Sequence, residues 1–210
     1  MKILQQIGTL LLLGLNLQSY FVLKTLMGGV ILGVFPAIFG MFRVITMCLN
    51  ERDIHHFYLF KELKKFDKKE FIKMNIIGYL FLIVIYILLL NLWVARYFLG
   101  LPIFQILTWF LIGLTTSIFL YTIALFNKYE LPIRQYIFQG FLSSIVGILE
   151  TVAIALGMGI VIGIALVIPS ISFFLGLPLL MLPHAWFSQA VVARLERVFY
   201  KDEEHDNLAE

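Results

Sequence analysis

The sequence predicts an all-α, polytopic membrane protein of about six transmembrane helices, and three observations predict it. Of its 210 residues, 61% are hydrophobic and only 14% are charged, with a mean hydropathy of +0.95. A soluble domain carries roughly a quarter charged residues, and at this size surface outruns core volume, so so much apolar surface has no interior to enter. The apolar residues come in long runs, with room for about six spans of ~20 residues each. The charge is rationed: Arg52, Lys61, Lys64, Lys65, Lys68, Lys69 and Lys73 all fall within Asn50–Lys73. Little chain is left over, so residues 1–200 form one transmembrane domain. Residues 201–210 are a polar, mostly acidic tail with too little apolar content to pack, read as disordered.

Taken in order, the first span covers Ile7–Val30. Its apolar run continues past Leu26 without an Ala-x-Ala site, so it reads as a retained span and not a cleaved signal. The second, Val34–Asn50, is short and has Pro36 in its first turn, where proline suits a helix. The third is Met74–Ala95, and the fourth is Ile103–Phe126, preceded by Leu101-Pro102. The fifth runs from Gly140 to Val167, stopped by Pro169. The sixth is Ile171–Val192, where Pro178 and Pro183 each remove a backbone donor and are expected to kink or break the helix. Between spans two and three, Phe57, Phe60, Leu63 or Lys64, Asp67, Phe71 and Met74 step by three or four. An amphipathic basic segment lying on the membrane fits that spacing, with Lys61, Lys64, Lys65, Lys68 and Lys69 meeting anionic headgroups or, alternatively, a protein partner.

With six spans, Lys2, the basic segment, Lys128, Arg134, Arg194, Arg197 and Lys201 fall on one side, against Arg96 and Lys24. The positive-inside rule then puts both termini in the cytoplasm. The net charge of +3 expresses this loop asymmetry, so no nucleic-acid partner is expected. Cys48 is the only cysteine; it sits in an apolar run and reads as a small core residue.

Two constellations stand out inside the spans. Ser143, Gly147, Thr151, Ala155, Gly159 and Gly163 repeat every four residues, a stripe that lets helix backbones approach closely. Packing within the chain is preferred to a dimer seam, because a six-span bundle has many internal faces; a homo-oligomer stays open. A shorter pattern, Gly29-x-x-x-Gly33, lies where glycines also serve a turn. Beside the stripe, Glu150 is ten residues past Gly140, roughly 15 Å into the bilayer. Such a carboxylate is costly and needs a partner; Arg43 and His184 are the candidates. A proton- or substrate-linked site of Glu150, His184 and Arg43 is one reading, and a structural ion pair or a protonated Glu150 bonded to a freed carbonyl is the preferred one. His55-His56 lacks further ligands at metal spacing. No P-loop, nucleophile elbow or dinucleotide fingerprint occurs, so no catalytic residue, metal or cofactor is assigned and a non-enzymatic protein is expected.

Gly33-Val34-Phe35-Pro36-Ala37, then Phe42-Arg43-Val44, the aromatic-basic stretch Phe57–Phe66, and Glu70–Gly78 with its Asn75-x-x-Gly78 resemble the YesL-like family of small bacterial multi-span membrane proteins of unknown function. The first span departs from that pattern at Gln18 and Lys24. The resemblance implies a multi-pass protein of the bacterial cell membrane without established activity, associated with carbohydrate uptake. It points to subunits of a sugar importer of the ATP-binding-cassette type as partners besides the lipid bilayer. The loops lack the Glu-Ala-Ala coupling motif of such importers' permeases, which argues for an accessory or scaffold component. The rival is a small secondary transporter with Glu150 and His184 in its path.

Overall fold

In the computed structural model, which describes residues 2–50 and 67–206, the chain forms α-helices and, among those residues, no strand. The elements are α1 (Lys2–Met27), α2 (Val34–Asn50), α3 (Lys68–Val94, closed by a π-turn at Ala95–Leu99), α4 (Pro102–Phe126), α5 (Ile133–Val146), α6 (Ile148–Val167) and α7 (Pro169–Asp206). Among the described residues, four stretches are long and apolar enough to cross a membrane: Lys68–Phe98, Pro102–Phe126, Ile148–Val167 and Pro169–Glu196. Leu11–Met27 and α2 are shorter apolar helices. The chain is thus an all-helical polytopic membrane protein, as its composition requires.

α2 contributes the largest share of the main buried cluster. Phe39, Met41, Phe42, Val44 and Ile45 are buried against Met74, Ile77 and Phe81 of α3, Ile123 of α4, Tyr136 of α5 and Met181 and Ala185 of α7. Its turn to α1 rests on Tyr79, whose hydroxyl donates to the Ile31 carbonyl. Tyr79 is eleven residues along α3, roughly 17 Å from its start, and α3 continues to Val94 beyond it. α2 therefore lines one half of the molecule only. The glycines of this turn act locally: Gly29 has φ 68°, and a side chain on Gly33 would run into the Thr25 carbonyl at 2.6 Å. Val30, at φ 62°, is the one non-glycine residue in the left-handed region among those described. That is a strained setting for a β-branched side chain.

Turn chemistry fixes the other connections. Asp67 caps α3, its carboxylate accepting from the Lys68 amide at 2.7 Å. Gly100, at φ 61°, ends the π-turn, and Pro102 opens α4. Trp93, Tyr97 and Phe98 cluster there, with ring centroids 5.4 to 5.7 Å apart, as aromatic residues do at a membrane boundary. Between α4 and α5 the Tyr136 hydroxyl receives the Leu131 amide at 2.9 Å, and Lys73 donates to the Leu131 carbonyl at 3.3 Å. Lys128 pairs with Glu196 at 2.7 Å. The start of α3, the α4–α5 turn and the last turns of α7 thus meet at one basic end.

Three expectations are corrected. The fifth span is not one helix: at Gly147 (φ −96°, ψ 36°) α5 ends and α6 begins. The Tyr121 hydroxyl holds the kink, 3.1 Å from the Gly147 carbonyl and 3.1 Å from the Thr151 hydroxyl. The same carbonyl accepts the Thr151 amide at 2.7 Å as the first ladder bond of α6, so Tyr121 adds a second donor where the new helix starts. Beyond the kink α6 packs chiefly along α7. Pro178 and Pro183, by contrast, leave α7 unbroken. Gly157 of α6 makes the room, since even a methyl there would sit 2.7 Å from the Pro183 ring. Finally, α7 runs to Asp206, so most of the expected disordered tail extends the helix. Extending a formed helix adds a hydrogen bond per residue fixed, without a new nucleation step. Residues 207–210 lie outside the described residues, as do His55, His56, Lys61, Lys64 and Lys65.

Candidate functional site at the basic end of the bundle

Glu150 occupies the first turn of α6, where a carboxylate complements the positive end of the helix dipole. Its partner is Arg194: the guanidinium donates to Oε1 at 2.6 Å. The geometry follows from the chain. α6 and α7 form a hairpin about Ile168, and side chains on α7 lean toward its N-terminus, so Arg194 reaches back along the bundle to the start of α6. The ion pair expected with Arg43 or His184 is therefore not the one formed. Glu150 is also shallower than midplane. Thr151 touches Tyr121, six residues from Asn127 at the end of α4, hence about 9 Å from the basic end. The earlier placement counted from Gly140, inside a helix that ends at Gly147. The Glu150 side chain is 13% exposed and that of Arg194 54%, so the pair clamps α6 to α7 near the surface.

His184 lies elsewhere. Its side chain is fully enclosed, and neither ring nitrogen has a hydrogen-bond partner, which excludes a bond to Glu150. Its imidazole packs on Phe42 with centroids 4.6 Å apart. Pro183, beside it, packs on Gly157, which is seven residues, about 10 Å, along α6 from Glu150. Ser188 and Gln189, one turn on from His184, also carry a polar atom without a partner: Ser188 Oγ and Gln189 Nε2.

Arg43 joins a third grouping. A cavity of about 440 Å³ opens between the ends of α2 and α4 and the middle of α7. Arg43, Thr46 and Asn50 line it from α2, Asn127 and Lys128 from the end of α4, and Gln189 from α7, over apolar walls that include Phe42 and Val192. Asn127 is fixed there by donating to the Ile123 carbonyl at 2.9 Å and the Phe39 carbonyl at 3.4 Å. Sequence reasoning singled out Arg43 but missed Asn127, Lys128 and Gln189. The available signal for Asn127 and Lys128 was their place just past the end of a span; Gln189, inside α7, gave none.

The stripe divides at the kink. Ser143 and Gly147 are buried, and Thr151 donates to the Gly147 carbonyl at 2.8 Å. A side chain on Gly147 would meet the Tyr121 hydroxyl and Val191 at 2.6 Å. Ala155, Gly159 and Gly163 are exposed, and nothing lies within 4 Å of where a side chain on either glycine would begin. Lys68 and Lys69 are exposed on the first turn of α3.

The two motifs behind the family resemblance meet in space. A side chain on Gly78 would enter the ring of Phe35, and Phe35 stands edge-on to Tyr79 at 5.0 Å. Residues 12–92, which contain both motifs, match a family described as "Protein of unknown function, DUF624". Over 171 residues the chain is 32% identical to the uncharacterized protein YesV of Bacillus subtilis (strain 168), covering 76% of this chain and 77% of that one. No solved structure matches.

Proposed function

The chain belongs to the DUF624 family of proteins of unknown function, and from that premise we propose that it is a non-enzymatic accessory or scaffold component of a bacterial cell-membrane assembly serving carbohydrate uptake. The observation that carries this reading is the division of the bundle. Around α2 the helices are tightly packed, but from Leu82 to Val94 of α3, from Leu101 to Leu107 of α4 and from Ala155 to Val167 of α6 no residue is buried. Two hairpins, α3–α4 and α6–α7, extend past the core with apolar faces free for lipid or for the helices of a partner. A chain that recruits other membrane helices needs such lateral surface. The carbohydrate context comes from the resemblance at Gly33–Ala37 and Phe57–Gly78, and cytoplasmic termini from the loop charges.

A secondary transporter asks for Glu150 and His184 in one path, whereas Glu150 is held by Arg194 and His184 is enclosed behind Phe42. The test is purification of tagged full-length protein from its native membrane in mild detergent. Subunits of a binding-cassette sugar importer should come down with it, and deletion should lower that importer's uptake. Protein that purifies alone, with uptake unchanged in the deletion strain, overturns the proposal.

A further inference from the structure

Charge, hydrogen bonding and shape converge on the cavity between α2, α4 and α7. We propose that it holds a phosphate-bearing anion, with Arg43 and Lys128 supplying charge and the Gln189 amide a hydrogen bond. At about 440 Å³ it lies in the size range of small-molecule sites, roughly 300–1,000 Å³. Its described lining includes two cationic side chains and no carboxylate. Gln189 Nε2 is a buried donor without an acceptor, a setting that costs free energy unless an acceptor arrives. Arg43 already has an interaction of its own, and its five N–H groups let it serve a further acceptor. Lys128 is held at the rim by Glu196 at 2.7 Å, so its ammonium is positioned before any ligand enters. Phe42 and Val192 give the same cavity an apolar side, which suits a phosphate carried on an organic group better than a bare ion. The site sits at the basic end, where anionic lipid headgroups also lie. The shared chemistry is therefore a phosphate ester, from a membrane lipid or from a soluble metabolite.

The experiment uses the full-length protein, delipidated in an uncharged detergent or reconstituted in nanodiscs. Thermal unfolding is followed with glycerol phosphate or inorganic phosphate added, and in phosphatidylglycerol against phosphatidylcholine nanodiscs. Stabilisation by either soluble phosphate assigns a soluble ligand, and stabilisation only in phosphatidylglycerol assigns a headgroup. In either case Arg43→Gln should weaken binding about tenfold or more, the value of a charge-assisted hydrogen bond, and Gln189→Leu should weaken it less. Arg134→Gln, an exposed cation outside the cavity, should leave binding unchanged. If Arg43→Gln fails to fold, Lys128→Gln at the rim carries the test. The inference is overturned if no phosphate-bearing probe stabilises the protein, or if Arg134→Gln costs as much as the cavity variants.

Discussion

Substituting Gly78 by alanine tests the contact that joins the two motifs. The added methyl would overlap Cγ, Cδ1 and Cδ2 of Phe35. That ring has little freedom to retreat, because it stands edge-on to Tyr79 at 5.0 Å and to Phe119 at 6.4 Å. Overpacking of this kind costs about 1–3 kcal/mol. Alanine in a helix interior returns about 1 kcal/mol relative to glycine. The net expectation is a loss of up to about 2 kcal/mol, a fall in Tm of up to about 8 °C for a domain of this size. The measurement is thermal unfolding of the full-length protein in detergent, followed by tryptophan fluorescence. Phe35→Leu loses ring contacts of its own, but in the Gly78→Ala background it should cost less than in the wild type, because it removes the overlapping ring. A rise in Tm for Gly78→Ala, or strict additivity with Phe35→Leu, would refute the reasoning, since helix propensity alone would then govern the site.

Three further outcomes follow from the same geometry. Glu150→Gln should lower stability by no more than about 1 kcal/mol, because the Arg194 side of the pair is more than half exposed to screening; a double-mutant cycle with Arg194→Gln reads the coupling directly. Val30→Gly should raise Tm, since left-handed backbone costs a β-branched residue about 1–2 kcal/mol and glycine gives back only about 0.5–1 kcal/mol in chain entropy. Gly147→Leu should unfold the α5–α6 kink against Tyr121 and Val191, whereas Gly159→Leu, with open space around it, should leave the monomer's Tm unchanged; loss of a crosslinked dimer in Gly159→Leu would instead reveal a seam between copies.

What could be read from the chain, and what could not, divides by the range of the interaction. The bounds of α2 and α4 follow from local chemistry: Pro36 suits a first turn, and Pro102, just after the Gly100 turn, suits the first position of a helix. The kink at Gly147 is invisible because Ile145–Leu149 has the same hydropathy straight or bent. What stabilises the bend is the Tyr121 hydroxyl, 26 residues earlier. Glu150 was recognisable as needing a partner, but Arg194 is 44 residues away and had been counted only as a loop charge. The spacing of the stripe was read correctly on a straight helix, and the bend then separated its buried half from its exposed half. The cavity was beyond reach for the same reason, since three helices compose it and no one of them carries its pattern.

The uneven distribution of polar groups constrains where recognition can occur. Arg43, Asn127, Lys128, Gln189, Glu150 and Arg194 all gather toward the basic end, around the core that α2 builds. The exposed far halves of α3, α4 and α6 are lined by residues such as Ile83, Ile106, Leu156 and Ile160. In hydrocarbon these gain nothing from burial as such, because lipid tails are equally apolar. A partner helix docked there would be selected by shape and close packing, and its binding would be insensitive to salt. A ligand or partner engaging the basic end would be selected by charge, and its binding would weaken as salt screens the exposed cations. Salt dependence therefore separates the two halves experimentally: retention of a co-purified membrane subunit through a high-salt wash assigns contact to the hairpins, and its loss assigns contact to the basic end.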